Sequence, residues 1–473
     1  MRRTIASVGL SLLLLSACTS SGGLDNRALE DPSSAPEDVR TPVVVDTDMG
    51  QDDMMALLFL LQRPDVRVEA ITVTGTGLAH CDPGVGIALS LLDVAGAGDV
   101  PVACGPEQPL PGEHRAVNAF PDEWREATDD AYGIELAPSD RRPSDLAAPE
   151  LLRAAAASAG APVRLITLGP LTNVALALRD DPSFAHDLEN VTIMGGALDV
   201  PGNVLENAVA EFNIWVDPVA AREVFASGAG LTTLVPLDAT NQVPVTAFFA
   251  DALARHHDTP EAETVNALFE AQPWLSGGDY YFWDPLAAAL VVEPALATVG
   301  ERTIDVVEGE RETLGQTVDG PPGEPIRVVV GADALAFEEE FLATLNGGTA
   351  VGPMRPDPVA AIVMDEGGCA YDGPTRFSPG LAAVMVANQS STPWNAILIA
   401  IDPGHTYGEF ERAVRAFEQA DEPPSWVVLT AESPRNPGAG ELSPWELDGG
   451  TYGLICQRDE PFTLEPVAEI VAG

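Results

Sequence analysis

Four aspartates fall within eight residues, in Asp46-Thr47-Asp48-Met49-Gly50-Gln51-Asp52-Asp53, directly after the apolar run Val43-Val44-Val45. Gathering that much like charge at the end of a buried strand is costly, and a low dielectric enlarges the cost. A fold that does so needs a compensating cation. Donors that are all oxygen select a hard ion, calcium or magnesium, over zinc. Gly50 is expected to let the chain turn so that Asp48 and Asp53 face one ion. The competing reading is a solvated acidic loop in which Asp52 or Asp53 caps the following helix.

Other chemistries fit less well. Asp-x-Asp after a strand also opens phosphatases of the haloacid dehalogenase type, but those require Thr or Val where Gly50 stands and a lysine further on. All 24 basic residues here are arginine, so no lysine is present to act as a phosphate anchor or Schiff base. No His-x-x-His, Glu-x-x-His or Cys-x-x-Cys spacing offers a transition-metal site, and neither Gly-x-Ser-x-Gly nor Gly-x-Gly-x-x-Gly occurs. With 72 acidic residues the net charge is −48. A surface that negative repels polyanions, which argues against a nucleic-acid partner.

The elements that must position these aspartates follow from hydrophobic periodicity. Short apolar runs at 43–45, 68–73, 163–168, 191–194 and 231–235 read as buried strands, and amphipathic stretches at 53–62, 148–159 and 171–178 as helices. Strands alternating with helices predict an α/β fold, a mostly parallel sheet flanked by helices. Ligands of such sheets lie at the carboxyl ends of the strands, where the polar motifs of this chain cluster. A Gly/Pro-rich stretch near 347–358 reads as a linker. Beyond it, runs at 381–388, 394–401, 426–430 and 453–456, with one helix at 407–419, predict a C-terminal β-sandwich over residues 359–473. No internal repeat relates the two halves.

At the N-terminus, Arg2 and Arg3 precede an apolar run from Ile5 to Leu15, too short to span a bilayer but suited to a signal peptide over residues 1–17. Its end, Leu15-Ser16-Ala17-Cys18, resembles a bacterial lipobox, which implies lipidation of Cys18, membrane anchoring and an extracytoplasmic location. An ordinary secretory signal is the alternative. Residues 18–41, rich in Ser, Pro and acidic groups, read as a flexible tether. Four cysteines remain, and in an oxidising compartment they suggest two disulfides. Of three connectivities, Cys81–Cys104 and Cys369–Cys456 keeps each bridge within one domain.

Several motifs in order make the chain similar to the inosine-uridine preferring nucleoside hydrolases. The Asp46–Asp53 segment resembles their N-terminal signature. It is followed by Leu168-Gly169-Pro170-Leu171-Thr172-Asn173, Met194-Gly195-Gly196, Gly202-Asn203, Ala210-Glu211-Phe212-Asn213 with Asp217-Pro218, Val235-Pro236-Leu237-Asp238-Ala239-Thr240, and Trp283-Asp284-Pro285. The likeness spans residues 42–350. It implies calcium-dependent hydrolysis of the bond between ribose and base of a small-molecule nucleoside. Asp48, Asp53, Asp284 and the main-chain carbonyl of Leu168 would ligate calcium, Asp52 would be the general base, and Asp46 would support the ligands. Asn203, Glu211 and Asn213 would hold ribose hydroxyls. Family members often form dimers or tetramers, so a homo-oligomer is implied by resemblance alone.

Three departures from the family pattern shape the expectations. Where many members have His as leaving-group acid, this chain has Trp283, resembling the purine-preferring branch, in which rings stack on the base and solvent can supply the proton. Trp124 and Trp274 are further candidates for a base pocket. Thr76, in Gly75-Thr76-Gly77, stands where the family often has Asn and so takes over its sugar contact with a shorter reach. The stretch from Asn203 to Glu211 is two residues longer than usual. His80, after the second strand, is a candidate for the mouth of the site. The C-terminal half resembles a cupredoxin, but with His405 as its only histidine and no His or Met after Cys456 it is expected to lack copper. Two further readings stay open: a ribose- or nucleoside-binding lipoprotein without turnover, and a hydrolase of a related ribosyl compound.

Overall fold

The computed structural model describes residues 40–112, 119–229, 231–309, 311–320, 324–416, 423–435, 438, 440–459 and 462–473. The expected signal peptide, most of the tether and the lipidation site at Cys18 lie outside the described residues, as does the end of the helix expected at 407–419.

The first part of the chain forms strands β1 (Thr41–Thr47), β2 (Val66–Val73), β3 (Val102–Cys104), β4 (Val163–Thr167), β5 (Leu188–Met194), β6 (Leu231–Val235), β7 (Ala297–Arg302), β8 (Ile304–Val306), β9 (Thr317–Asp319) and β10 (Ile326–Ala332). Eight of them make one sheet in the order β3-β2-β1-β4-β5-β6-β10-β7; β8 and β9 pair separately. All neighbours run parallel except β7, which lies antiparallel to β10 at the edge. Central parallel strands are buried on both faces, and the valines of β1 show how. Val43 and Val45 join a core with Ile71, Leu57 and Leu286, whereas Val44 joins Leu165, Val174 and Val191 on the other face.

The strand order reverses direction at β1 and β4, so the chain leaves these two adjacent strands toward opposite ends of the sheet. In such folds the usual ligand position is between the carboxyl ends of the strands where the order reverses. The acidic segment emerges from β1 at that point. Helix Gln51–Gln62 follows immediately and packs along helix Trp283–Val292, both almost wholly buried. That packing brings Asp284, 231 residues after Asp53, to the same end of the sheet.

Among the described residues of the last part, the elements are strands and one helix, Tyr407–Ala416. Strands β11 (Ala360–Asp365), β12 (Gly368–Asp372), β13 (Arg376–Phe377), β14 (Gly380–Asn388), β15 (Trp394–Ile401), β16 (Val427–Arg435), β17 (Gly440–Leu447), β18 (Gly450–Asp459) and β19 (Phe462–Ala472) form two sheets, β12-β11-β14-β17 and β13-β19-β18-β15-β16. Ile362, Val384, Val386 and Trp445 from the first meet Trp394, Leu398, Leu454 and Ile470 from the second in one core, a β-sandwich. Cys369 of β12 is bonded to Cys456 of β18 and so ties the two sheets together; Cys81 is bonded to Cys104. With its sulfur in that bridge, Cys456 is withdrawn from any copper-ligand role.

Candidate metal and substrate site

The turn after β1 is tight. Met49 occupies the left-handed region, with φ 65°, an uncommon and strained state for a side chain of its size. Its amide donates to Thr47 Oγ1 (3.1 Å), and the Thr47 hydroxyl donates to Asp53. Asp53 Oδ1 also accepts the amide of Asp48 (3.0 Å). The turn therefore folds Asp48 back onto Asp53. Gly50, expected to let the chain turn here, has a φ of −54°, so the left-handed step belongs to Met49. The value of Gly50 is space: a Cβ there would stand 2.8 Å from Asp53 Oδ2 and 2.9 Å from Asp52 Oδ1.

Asp52 and Asp53 lie in the first turn of helix Gln51–Gln62, and Asp284 in the first turn of helix Trp283–Val292. The residues that open the two helices, Gly50 and Phe282, provide no side-chain cap. The positive ends of two helix dipoles point at one cluster, which favours negative charge there. Asp52, Asp53 and Asp284 each place a carboxylate oxygen within 4.8 Å of the others. Asp48 is tied to Asp53 through its amide, and its Oδ2 is buried without a partner. Asp46 is fully buried behind them. Its Oδ1 accepts from Thr72 Oγ1 (2.6 Å) and Asn173 Nδ2 (2.8 Å), and its Oδ2 has no partner.

Electrostatics follow the geometry. Burial pushes the carboxyls of Asp46 and Asp52 up to about 7. Burial and then repulsion by Asp53 hold Asp48 and Asp284 well above the usual carboxylate range, and burial raises Asp53 too. Asp52 is the one member with partial exposure. Buried carboxylates with orphaned oxygens and mutual repulsion are what a hard divalent cation relieves, so the residues present fit such an ion.

The neighbouring strand ends carry the other expected residues. The amide of Leu168, just past β4, donates to the Asp46 carbonyl (2.8 Å), and the Leu168 carbonyl accepts Asn213 Nδ2 (2.9 Å). Glu211, at 2% exposure, accepts the amides of Gly196 (3.0 Å), Asn213 (2.8 Å) and Ile214 (3.2 Å) at the end of β5. Leu168, Glu211 and Asn213 are thus brought to the same edge as the aspartates. Asn203 is exposed, and its Oδ1 accepts the Phe212 amide (3.1 Å), bracing the segment beside Glu211. Thr76 departs from its expected sugar contact: its hydroxyl bonds those of Thr74 (3.1 Å) and Thr172 (3.0 Å), and Thr172 donates to Asp217 (2.7 Å). A buried chain of hydroxyls holds it.

Aromatic residues stand in two groups. Trp283 packs edge-on to Tyr280 (centroids 4.7 Å apart), and the 57%-exposed Trp274 also packs on Tyr280 (5.5 Å). Trp124, 41% exposed, leans on Phe212 (5.2 Å), next to Glu211. His80 is exposed and pairs with Asp129, its Nδ1 2.6 Å from Oδ2. Sequence reasoning missed Tyr280 and Tyr132, which lie near the same carboxylates. In sequence Tyr280 was visible only as a neighbour of Trp283; nothing local places it near Asp52.

The chain matches the family model described as inosine-uridine preferring nucleoside hydrolase over residues 43–339. It is 38% identical over 280 residues to uridine nucleosidase 1 of Arabidopsis thaliana, covering 58% of this chain and 81% of that protein. It is 31% identical over 285 residues to the pyrimidine-specific ribonucleoside hydrolase RihA of Shewanella woodyi, covering 59% and 87%. Among solved structures it resembles the plant nucleoside hydrolase PpNRh1 (TM-score 0.57, 29% identity, 65% of this chain and 99% of that one). It is similar to the same extent to the purine-preferring ribonucleoside hydrolase from Gardnerella vaginalis (TM-score 0.57, 27% identity, again 65% and 99%).

Proposed function

Because the chain belongs to the inosine-uridine preferring nucleoside hydrolase family, and so is an N-ribosyl hydrolase, we propose that it releases ribose from purine ribonucleosides, depends on calcium, and works outside the cytoplasm on a lipid anchor. The observation that carries the site assignment is the meeting of Asp52, Asp53 and Asp284 within 4.8 Å of one another.

Asp48, Asp53, Asp284 and the Leu168 carbonyl are the groups that would hold calcium. A flexible oxygen set completed by sugar hydroxyls suits calcium better than the strict octahedron of magnesium. When bound, the ion supplies Lewis acidity toward water and an anchor for vicinal hydroxyls. The protein's own part is positional and electrostatic. Glu211 and Asn213 hold the ribose hydroxyls, with Asn203 keeping their segment in place. Asp52 takes the proton from the water that attacks the anomeric carbon. Its raised proton affinity suits a base working near neutral pH. Breaking an N-glycosidic bond builds positive charge on the sugar ring, and carboxylates in excess over the cation stabilise it.

One observation favours a second assignment of the base. Asp48 Oδ2 is buried without a partner. The two assignments differ in which single substitution spares cation binding but stops the chemistry.

Purine preference rests on Trp283 and Trp124 as faces for a bicyclic base. The named relatives include uridine- and pyrimidine-specific enzymes as well as a purine-preferring one. Free ribose should therefore be measured from inosine, adenosine, guanosine, uridine and cytidine, with and without chelator. Purines are expected to lead, and chelator to stop all turnover. Trp283→Ala should cost purines about 10- to 100-fold in kcat/KM, the worth of one stacked ring, with a smaller loss for pyrimidines. Equal losses for both classes would remove Trp283 from base selection.

The anchor rests on the lipobox-like Leu15-Ser16-Ala17-Cys18. Full-length protein expressed in a bacterium should partition with membranes, and Cys18→Ala should move it to the soluble fraction. An unchanged membrane share would refute the anchor.

A further inference from the structure

The short helix Asp122–Asp129 carries Trp124 and, beside it, Arg125. Arg125 is 8% exposed, and its Nη2 donates to the carbonyls of Gly75 (3.0 Å) and Ala79 (3.3 Å). Those two carbonyls bracket the loop between β2 and helix Cys81–Val94. The same loop meets Asp48 twice. The Ala79 amide donates to the Asp48 carbonyl (2.9 Å), and Gly77 lies so close that a Cβ there would stand 2.7 Å from Asp48 Cγ. The end of the loop is held by the same helix, since the His80 amide donates to Asp129 Oδ1 (2.9 Å). One helix thus grips the loop that walls Asp48 and carries the tryptophan that leans on Phe212.

A buried guanidinium is an expensive way to fill space, because the charge must be desolvated. Arg125 Nε is buried without a hydrogen-bond partner, which adds to the cost. An apolar side chain would fill the same volume without either penalty. A fork of two N–H bonds on the planar nitrogen Nη2, by contrast, fixes where the two carbonyls stand relative to each other and so joins the loop's other hydrogen bonds in setting its shape.

We propose that Arg125 is a positioning residue, which holds the 75–79 loop against Asp48 and thereby sets the cation affinity of the site and the placing of Trp124 relative to it. The inference rests on the reading of the aspartate cluster as a calcium site. Arg125 touches neither substrate nor ion; it acts through Gly75 and Ala79.

The test uses metal-free protein prepared by dialysis and titrated with calcium chloride in a calorimeter. Arg125→Ala is expected to weaken calcium binding about tenfold or more, as loss of a group orienting a metal ligand does. Arg125→Lys, which keeps the charge but not the fork, should fall between. At saturating calcium, kcat should recover more fully than KM, because the displaced Trp124 weakens substrate binding while Asp52 is intact. Arg141 provides a matched control. It donates to the Gly98 (2.5 Å) and Ala97 (2.6 Å) carbonyls at the far end of helix Cys81–Val94, so Arg141→Ala should leave calcium affinity unchanged even where it lowers Tm.

Amide exchange at Ala79 gives a readout independent of the ion: in the metal-free Arg125→Ala protein it should quicken. Wild-type calcium affinity together with wild-type Ala79 exchange in that variant would overturn the proposal. If Arg125→Ala does not fold, Arg125→Lys decides, and a wild-type affinity in it would equally overturn the proposal. Should the wild-type protein take up no calcium, the cluster reading itself falls, and Ala79 exchange alone judges Arg125.

Discussion

Asp52→Asn is expected to lower kcat for the best nucleoside by about 10³-fold, within the range that general base catalysis contributes, while calcium still binds. The substitution keeps the volume and removes one of several mutually repelling charges, so it does not endanger the fold. Metal-free Asp52→Asn should even be more heat-stable than the wild type, because burial and Asp53 both raise the Asp52 carboxyl. Asp48→Asn separates the two base assignments. With Asp52 as base and Asp48 as ligand, Asp48→Asn weakens calcium binding first, and part of its rate loss is restored by excess calcium. With Asp48 as base, its variant loses the chemical step whatever the calcium level, and Asp52→Asn retains substantial turnover. Single-turnover rates together with calorimetric calcium affinities for both variants distinguish these outcomes. A wild-type single-turnover rate in Asp52→Asn would sink the first assignment.

Calcium removal should have the second large effect, and it should depend on pH in a defined direction. In the metal-free protein Asp46 and Asp52 hold their protons up to about pH 7, and Asp48, Asp53 and Asp284 are also raised. Each of these groups binds its proton more tightly folded than unfolded. The metal-free fold is therefore favoured at low pH and loses stability as pH rises from about 4 through the folded values near 7. Calcium requires the ionised carboxylates, so its uptake releases protons and its affinity climbs with pH. At a free concentration a hundred times Kd the ion adds about 2.7 kcal/mol. That corresponds to a rise in Tm of several degrees. The rise should be largest at pH 8, smaller at pH 7 and nearly gone at pH 5.5, measured on dialysed protein with and without added calcium chloride. An equal rise at all three values would contradict ionised aspartates as the binding groups. Turnover should follow the same acid limb.

Much of the architecture was readable because local rules and global fold agree. The valines of β1 are apolar on both sides, the mark of a central parallel strand, and helix Gln51–Gln62 follows at once with nine of its residues buried. β6 and β15 have the ends that hydrophobicity alone predicted, Leu231–Val235 and Trp394–Ile401. Strands β17 and β19 were not readable. Each contains a proline, Pro444 and Pro466, which argues against a strand. In the fold Pro466 sits where β19 shifts register against β18, opposite Ile455, and there its missing N–H does no harm. Edge strands β7 and β12 lacked a strong apolar run because a partly exposed edge does not need one.

For the site, the chain order of its motifs determined the family, and the spacing of the four aspartates singled them out as its candidate centre, because a cluster of like charge after a buried strand has few uses. The tertiary structure alone decided which groups surround them. Met49 rather than Gly50 takes the left-handed turn, Thr76 is drawn into a hydroxyl chain, and Tyr280 and Arg125 reach the cluster or its walls. Each of these is a contact between segments far apart in sequence or a choice of backbone state. Spacing records which residue types a turn contains, but only the packing of helix against helix and loop against strand determines which atoms meet.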